Sequence, residues 1–327
     1  MPDAVRDYDR ARQLLEIYRG EADDFFKLWP RDKQFFFSDD GKGFISYGIQ
    51  HHVAICMGDP VGAPDSIKPL LEAFTQYCSD NKLTAAFIQT TNRYQRHYEA
   101  IGLRSLLIGA DAVIQLDGFA EETMRNKYFR NLENRFLKND YRFEIYSPPH
   151  SHKLLSELCE ISESWLSLPH RKEWSFLTGR FDDDYLQQVA IYVLRDADGV
   201  AQAFANDLPS YKPGVATIDL MRHRADAPAN SIDMLFTQLF LRCQQQGYSS
   251  FNLGLSPLDG QPFITGFAAR SLMFIYRISD SFIGFRGLHQ FKSKYEPQWE
   301  PRYVWFQGGT LSLQPIGVAV VKLLTGS

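Results

Sequence analysis

The stretch VAICMGDPVGAPDSIKPLLEAFTQYCSDNKLTAAFIQ, residues 53–89, reads as strand, turn, helix and strand. Residues 53–57 form an unbroken apolar run of strand length, and Gly58, Asp59, Pro60 and Gly62 stop it. Beyond a cap at Asp65 or Ser66, Ile67, Leu70, Leu71, Phe74, Tyr77 and Cys78 recur at helical spacing. Residues 85–89 return to strand. This alternation of strand and helix predicts an α/β layer.

The same rhythm extends outward in both directions. RYQRHYEAIGL (93–103) predicts a second helix ended by Gly102, and DAVIQL (111–116) a further strand. In the later half a strand at RFEIYS (142–147) leads through Pro148 and Pro149 into a helix over 150–167. Residues 189–207 read as a hairpin turning at Asp198 and Gly199, ATIDLM (216–221) as a strand, and 231–248 as a helix closed by Gly247. SFNLGLSPL (250–258) is then a strand running into a loop. Two successive α/β halves of mixed sheet, with helices, suggest a duplicated acyltransferase-like layout.

Between the halves lies AEETMRNKYFRNLENRFLKN, residues 120–139, read as one helix. Phe129, Leu132 and Phe136 make a narrow apolar stripe, and Arg125, Lys127, Arg130, Arg135 and Lys138 dominate the rest. This helix divides the chain into 1–119, the linking helix 120–139, and 140–327. Its basic face reads either as a solvated surface or as one that contacts phosphate.

Bulk composition agrees with two such units. At 327 residues, 44% hydrophobic and 23% charged, the chain can bury large cores, and a formal net charge of -4 argues against a surface coated for sequence-blind nucleic-acid binding. Cys56, Cys78, Cys159 and Cys243 form no CxxC pair and read as reduced core residues. The N-terminus has no signal-type apolar core, and the longest apolar tract, IGVAVVKLL (316–324), is about half of a spanning helix, so it is read as a terminal helix docked on its own domain.

The chemistry concentrates in IDLMRHRADAP, residues 218–228. Strict strand alternation sends Asp219 and Arg222 to opposite faces, so they cooperate only if the chain bends before Arg222. Two readings stand: a carboxylate that orients an attacking hydroxyl or holds an ammonium beside an oxyanion-stabilising guanidinium, or a structural ion pair at a strand end. The eight histidines show no metal spacing, RFDDDY (180–185) reads as an acidic helix start, and no GxSxG or Walker loop appears. FKSKYEPQWEPRYVWF, residues 291–306, divides in two. EPRYVWF reads as a closing strand, whereas Lys292 and Lys294 between aromatics, with Arg302 beyond, read as contacts to a polyanion.

Several stretches together resemble one family: DKQFFFSDDGKGFISYGIQHHVAICMGDPVG (32–62), GRFDDDYL (179–186), AFANDLPSY (203–211), IDLMRHRADAPANSIDMLF (218–236), GYSSFNLGLSPL (247–258) and GLHQFKSKYEPQWEPRYVWF (287–306). The ordered set is similar to the catalytic domain of the bacterial aminoacyl-phosphatidylglycerol synthases, the lysyl- and alanyl-phosphatidylglycerol synthases or multiple peptide resistance factors. The resemblance implies a tandem acetyltransferase-like (GNAT) fold joined by a basic helix, with most of the site in the second half. It implies transfer of lysine or alanine from aminoacyl-tRNA to a hydroxyl of phosphatidylglycerol at the cytoplasmic face of the membrane, lowering its negative charge and countering cationic antimicrobial peptides.

The family's Asp-x-x-Arg pair falls on Asp219 and Arg222 and its late lysine on Lys294, giving these three the catalytic roles. Arg125, Lys127, Arg130, Arg135, Lys138, Lys292 and Arg302 become contacts to tRNA or lipid phosphate. An additional acidic residue of the family has only Asp280 as a candidate. No cofactor or metal is implied, and neither half carries the R/Q-x-x-G-x-G/A loop of a coenzyme A enzyme, which agrees with a different acyl donor. The multi-helix membrane domain that usually precedes this domain is not in the sequence. A transferase acting on another lipid or a peptidoglycan precursor, or an inactive lipid- or RNA-binding relative, is the alternative.

Overall fold

The computed structural model describes residues 2–169, 171–257 and 287–326. In the first half the strands are β1 (Gln34–Phe37), β2 (Gly43–Gln50), β3 (Val53–Met57), β4 (Val61–Gly62), β5 (Thr84–Thr90) and β6 (Arg104–Gln115). They are followed by β7 (Arg142–Tyr146), β8 (Ile191–Arg195), β9 (Ala201–Asp207), β10 (Val215–His223), β11 (Ser250–Pro257) and β12 (Gln298–Phe306). The helices are α1 (Pro2–Tyr18), α2 (Pro64–Asp80), α3 (Gln95–Ala100), α4 (Lys127–Lys138), α5 (His152–Leu166), α6 (Asp183–Leu186), α7 (Ser231–Gln245), α8 (Leu288–Ser293) and α9 (Leu313–Thr325).

The opening stretch folds as its pattern predicts. Strands β3 and β5 pair in parallel from Val53 with Thr84 to Met57 with Ile88. Helix α2 crosses between them and buries Ile67, Leu70, Leu71, Phe74 and Cys78 against Ala54, Cys56, Ala85 and Phe87. Its start differs from the expected cap: Pro64 occupies the first turn and Ala63 caps it, because proline's fixed φ suits that position. Ser66 instead donates to Asp40 at 2.5 Å, tying the helix start to the β1–β2 turn.

All twelve strands join one mixed sheet in the spatial order β1, β2, β3, β5, β12, β6, β11, β10, β9, β8, β7, with β4 on β2. The linear division at 119 and 140 meets an interleaved molecule here. Strand β12 lies between β5 and β6, antiparallel to both, and α9 packs on β2 and β3. Val304, Trp305 and Phe306 are buried in that slot, so the closing segment completes the first half's cores.

In the second half the sheet is covered on both faces. Helices α4 and α7 cover one, where Phe129, Leu132 and Phe136 pack with Leu235, Phe236, Leu239 and Phe240. Helices α5 and α6 cover the other through Leu154, Leu158, Ile161, Tyr185 and Leu186. The linking helix is not continuous over 120–139: a short 3-10 turn at Thr123–Arg125 precedes it, and Asn126 caps α4 by accepting the Tyr128 N–H.

Among the described residues, two of the segments that cross between the halves bear on the face beneath α5. Phe25 and Trp29, from the turn after α1, stack on Tyr185 with ring centroids 5.8 and 5.1 Å away. In the other direction Phe176 buries its ring among Val53 and Ile88 of the first half and Val304 and Ile316 of the closing segment. These exchanges bring first-half residues to the face of the sheet beneath α5.

Candidate functional site

Strands β10 and β11 run parallel for only three register pairs, from Val215 with Ser250 to Thr217 with Asn252. Thr217 Oγ1 donates to the Asn252 carbonyl at 2.8 Å and marks the last point of contact. Beyond it both strands slip register against their other neighbours, β10 between Ile218 and Met221 and β11 between Asn252 and Leu255, where Gly254 takes a φ of +75°. The equivalent parallel pair of the first half, β3 and β5, stays in register through five pairs. The point where parallel strands part at their carboxyl ends is the usual ligand position in an open α/β sheet, and here that point belongs to the second half.

The slip in β10 decides where its side chains point. Ile218 and Met221 pack on the α7 side, while Leu220 packs on the α5 side. One extra residue between the paired positions reverses the alternation, so Asp219 and Arg222 share the α5 side with Leu220.

Arg222 is buried there, 5.0 Å over the Trp165 ring. Its Nη1 is 2.6 Å from Glu173 Oε1 and also donates to Ser162 Oγ. Asp219 Oδ1 accepts the Gly179 N–H at 3.0 Å, and Oδ2 is buried with no hydrogen-bond partner among the described residues. Burial pushes the Asp219 carboxyl up from 3.8 to about 6, opposed by the Gly179 N–H, the Tyr185 hydroxyl and the Arg222 charge and reinforced by Glu173. Gly179 is required by contact: a Cβ at this position would lie 1.7 Å from Asp219 Oδ2.

Lys294 is held on the opposite face. It donates to Asp233 Oδ1 at 2.5 Å, and the same carboxylate accepts the Tyr128 hydroxyl at 2.6 Å and the Tyr295 hydroxyl at 2.9 Å. Asp233 thereby ties the first turn of α7 to α4 and to the segment after α8. The Lys294 side chain keeps 32% exposure, next to the basic face of α4 rather than next to Asp219.

The two outer cations of the closing stretch are internal, which corrects their reading as polyanion contacts. Lys292 is buried and donates to the Gly254 and Leu255 carbonyls at 2.8 and 2.9 Å, and burial lowers its ammonium to about 7. Arg302 is 1% exposed; its Nε and Nη2 reach Asp111 Oδ2 at 2.9 and 2.6 Å, where Asn252 also donates. A guanidinium that reaches a buried carboxylate from β12 across to β6 welds strands and has no face left for a phosphate.

On α4 and the turn before it, Arg125, Lys127, Arg130, Arg135 and Lys138 are exposed, as the stripe pattern predicts. Arg135 also donates to the Ala229 carbonyl at 2.7 Å. Asp280 lies outside the described residues. Among the described residues no group of three or more His, Cys, Asp or Glu side chains gathers in metal-binding fashion, and no helix is long and apolar enough to cross a membrane.

Glu173 and Ser162 carry no sequence signal of their own, whereas Asp233 sits inside IDLMRHRADAPANSIDMLF, one of the stretches that carry the resemblance. Gly179 and Tyr185 sit inside GRFDDDYL, one of the stretches that carry the resemblance. Their contribution to the Asp219 environment needed the fold to become visible.

Comparison with known proteins agrees with this picture. Residues 12–306 match the family model described as phosphatidylglycerol lysyltransferase, C-terminal. The phosphatidylglycerol lysyltransferase of Bacillus subtilis (strain 168) is 34% identical over 278 residues, 84% of this chain and 32% of that protein. That of Staphylococcus aureus (strain MRSA252) is 30% identical over 301 residues, 91% of this chain and 36% of that protein. The chain spans about a third of the length of these curated relatives.

Among solved structures, L-PGS from Bacillus licheniformis superposes with a TM-score of 0.86 at 31% identity, covering 98% of this chain and 97% of that one. The C-terminal domain of a putative lysylphosphatidylglycerol synthetase from Agrobacterium fabrum gives 0.85 at 30% identity, covering 99% and 98%. FemX shares the fold at a TM-score of 0.61 and 7% identity, covering 94% of this chain and 98% of that one.

Proposed function

Because the chain belongs to the phosphatidylglycerol lysyltransferase C-terminal family, we propose that it transfers an aminoacyl group from aminoacyl-tRNA to a hydroxyl of phosphatidylglycerol at the membrane surface. The observation that carries the reading is the slip in β10, which puts a buried carboxylate oxygen and a buried guanidinium on one face, just beyond the point where β10 and β11 stop pairing.

The reaction is an ester exchange. The lipid hydroxyl oxygen bonds to the ester carbonyl carbon, the carbonyl oxygen takes negative charge, and the bond to the tRNA ribose oxygen then breaks. Asp219 takes the hydroxyl proton on Oδ2, which accepts no hydrogen bond among the described residues, and returns it to the departing ribose oxygen. A carboxyl held near 6 is ionised at neutral pH yet basic enough to accept that proton. Glu173 and Ser162 both engage Arg222 Nη1, so among the described residues Nε and Nη2 have no partner and can donate to the oxyanion.

The exposed cations of α4, joined by Lys294 through the Asp233 contact, form the surface that attracts the tRNA or the anionic bilayer. Lysine is the transferred residue that the relatives' names favour, with alanine as the other expectation. The test is transfer from a panel of tRNAs carrying labelled amino acids to phosphatidylglycerol vesicles. Label should enter the lipid fraction with the unaltered chain and fail to do so with D219A and R222A. Full transfer by both variants, or label that never becomes lipid-extractable, refutes the assignment.

A further inference from the structure

Two of the polar partners of Asp219 and Arg222, the Gly179 N–H and Glu173, sit on one strap, residues 171–182, which leads from α5 to α6. The strap has no regular secondary structure of its own, so its course depends on what holds it. Its middle is held by Asp32 of the first half and by α9. Asp32 Oδ2 accepts the Ser175 hydroxyl at 2.6 Å and the Phe176 N–H at 3.0 Å, and Ser175 N–H donates to the Leu324 carbonyl of α9 at 3.0 Å. Phe176 is 1% exposed in the first-half core and takes a left-handed φ of +65°. A non-glycine residue keeps that conformation only where its surroundings over-determine it.

Asp32 is itself fixed. Lys33 Nζ is 2.6 Å from Asp32 Oδ1, is fully shielded, and donates to the Trp29 and Pro30 carbonyls at 3.3 and 3.2 Å. The carboxylate therefore has one oxygen committed to its own loop and the other to the strap. Its grip falls between Glu173, which reaches Arg222, and Gly179, which reaches Asp219. Both ends of the strap are thus registered from its Ser175–Phe176 centre, where Asp32 supplies two of the hydrogen bonds.

We infer that Asp32 is a positioning residue for the Asp219–Arg222 centre, acting across the two halves by holding the 171–182 strap in register. It touches none of the proposed reacting groups. The inference rests on the functional reading above, since it assigns catalytic meaning to Asp219 and Arg222. Its structural half, that Asp32 holds the Gly179 N–H on Asp219, stands without it.

The test compares D32A, D32N and D219A in the full chain, with hydrogen exchange of residues 173–181 and single-turnover transfer to phosphatidylglycerol vesicles as readouts. D32A should speed exchange in the strap and lower transfer about 100-fold, the loss typical of a small misplacement made at a distance, while tRNA affinity stays as in the unaltered chain. D32N, which keeps one oxygen for Ser175 and Phe176, should restore slow exchange and most of the transfer.

Unchanged exchange in D32A, or transfer lost with the strap still protected, overturns the inference. So does a D32N that behaves like D32A, because the effect would then belong to the Lys33 pair. If D32A fails to fold, S175A removes one of the two strap bonds and is read in the same way. Normal transfer by D219A would sink the functional reading alone, and the exchange measurement would still decide whether Asp32 holds the strap.

Discussion

Asp219 and Arg222 stand three residues apart on β10 yet share the α5 side of the sheet, because β10 slips register against β9 between Ile218 and Met221. Without the slip, strand alternation would bury one of them beneath α7. The raised carboxyl and the strap contacts both depend on this reversal.

Gly179 should tolerate no side chain. In G179A the new methyl meets Asp219 Oδ2 at 1.7 Å, so the strap or the carboxylate has to move and the N–H contact at 3.0 Å is strained. Transfer is expected to fall about 100-fold while circular dichroism remains native. The two measurements made on the same preparation check it.

Asp219 should set the acid limb of the rate profile. Its carboxyl is raised from 3.8 to about 6, so single-turnover transfer should decline as pH falls through about 6 rather than near 4. For stability the sign is the reverse of a salt-bridged acid. The folded state keeps the proton longer than the unfolded chain, so stability should fall as pH rises from about 4 to about 6 and then level off. In D219N this part of the pH dependence of the melting temperature should disappear.

Lys294 should matter to stability as well as to tRNA binding. K294A leaves the buried Asp233 carboxylate with only the Tyr128 and Tyr295 hydroxyls, at a cost of about 1–3 kcal/mol. Adding D233N should recover part of that loss. Urea unfolding of the two single variants and the double variant yields the coupling directly.

Arg302 should behave as a structural cation. R302M leaves Asp111 buried and uncompensated between β6, β11 and β12, and is expected to destabilise the fold by about 3–5 kcal/mol. Its tRNA affinity, measured at a temperature where the variant is folded, should match the unaltered chain. A selective loss of tRNA binding would restore the polyanion reading.

The exposed cations of α4 should show the salt signature of a polyelectrolyte contact. Replacing Lys127 or Arg130 by Gln removes a charge from the solvent face without touching Phe129, Leu132 or Phe136. Each replacement should weaken tRNA binding and reduce the slope of log affinity against log salt by about one if that cation meets a phosphate. Fluorescence titrations across a salt series measure both quantities.

Local pattern carried the elements well. The helical spacing of Ile67, Leu70, Leu71, Phe74 and Cys78, the Asp198–Gly199 turn and the amphipathic stripe of α4 all follow from periodicities of 3.6 and 2. The site was legible only in part. Asp219 and Arg222 stand out because charge at the end of an apolar strand is conspicuous, whereas Lys292 and Arg302 look like surface cations until their buried partners, supplied by β11 and β6, are in place.

The amino-acid sequence by itself determined the kind and order of most elements from residue 53 onward, the amphipathic basic helix between the halves, and the family resemblance. Those are properties of neighbouring residues and of motifs in linear order. Tertiary structure alone decided that β12 completes the first half, that Asp219 and Arg222 share a face, and that Asp32 reaches Ser175 and Phe176 across 143 and 144 residues of chain. The reason is physical: strand pairing, register slips and buried ion pairs are chosen by which distant groups must satisfy each other's hydrogen bonds and charge, and no local period records that choice.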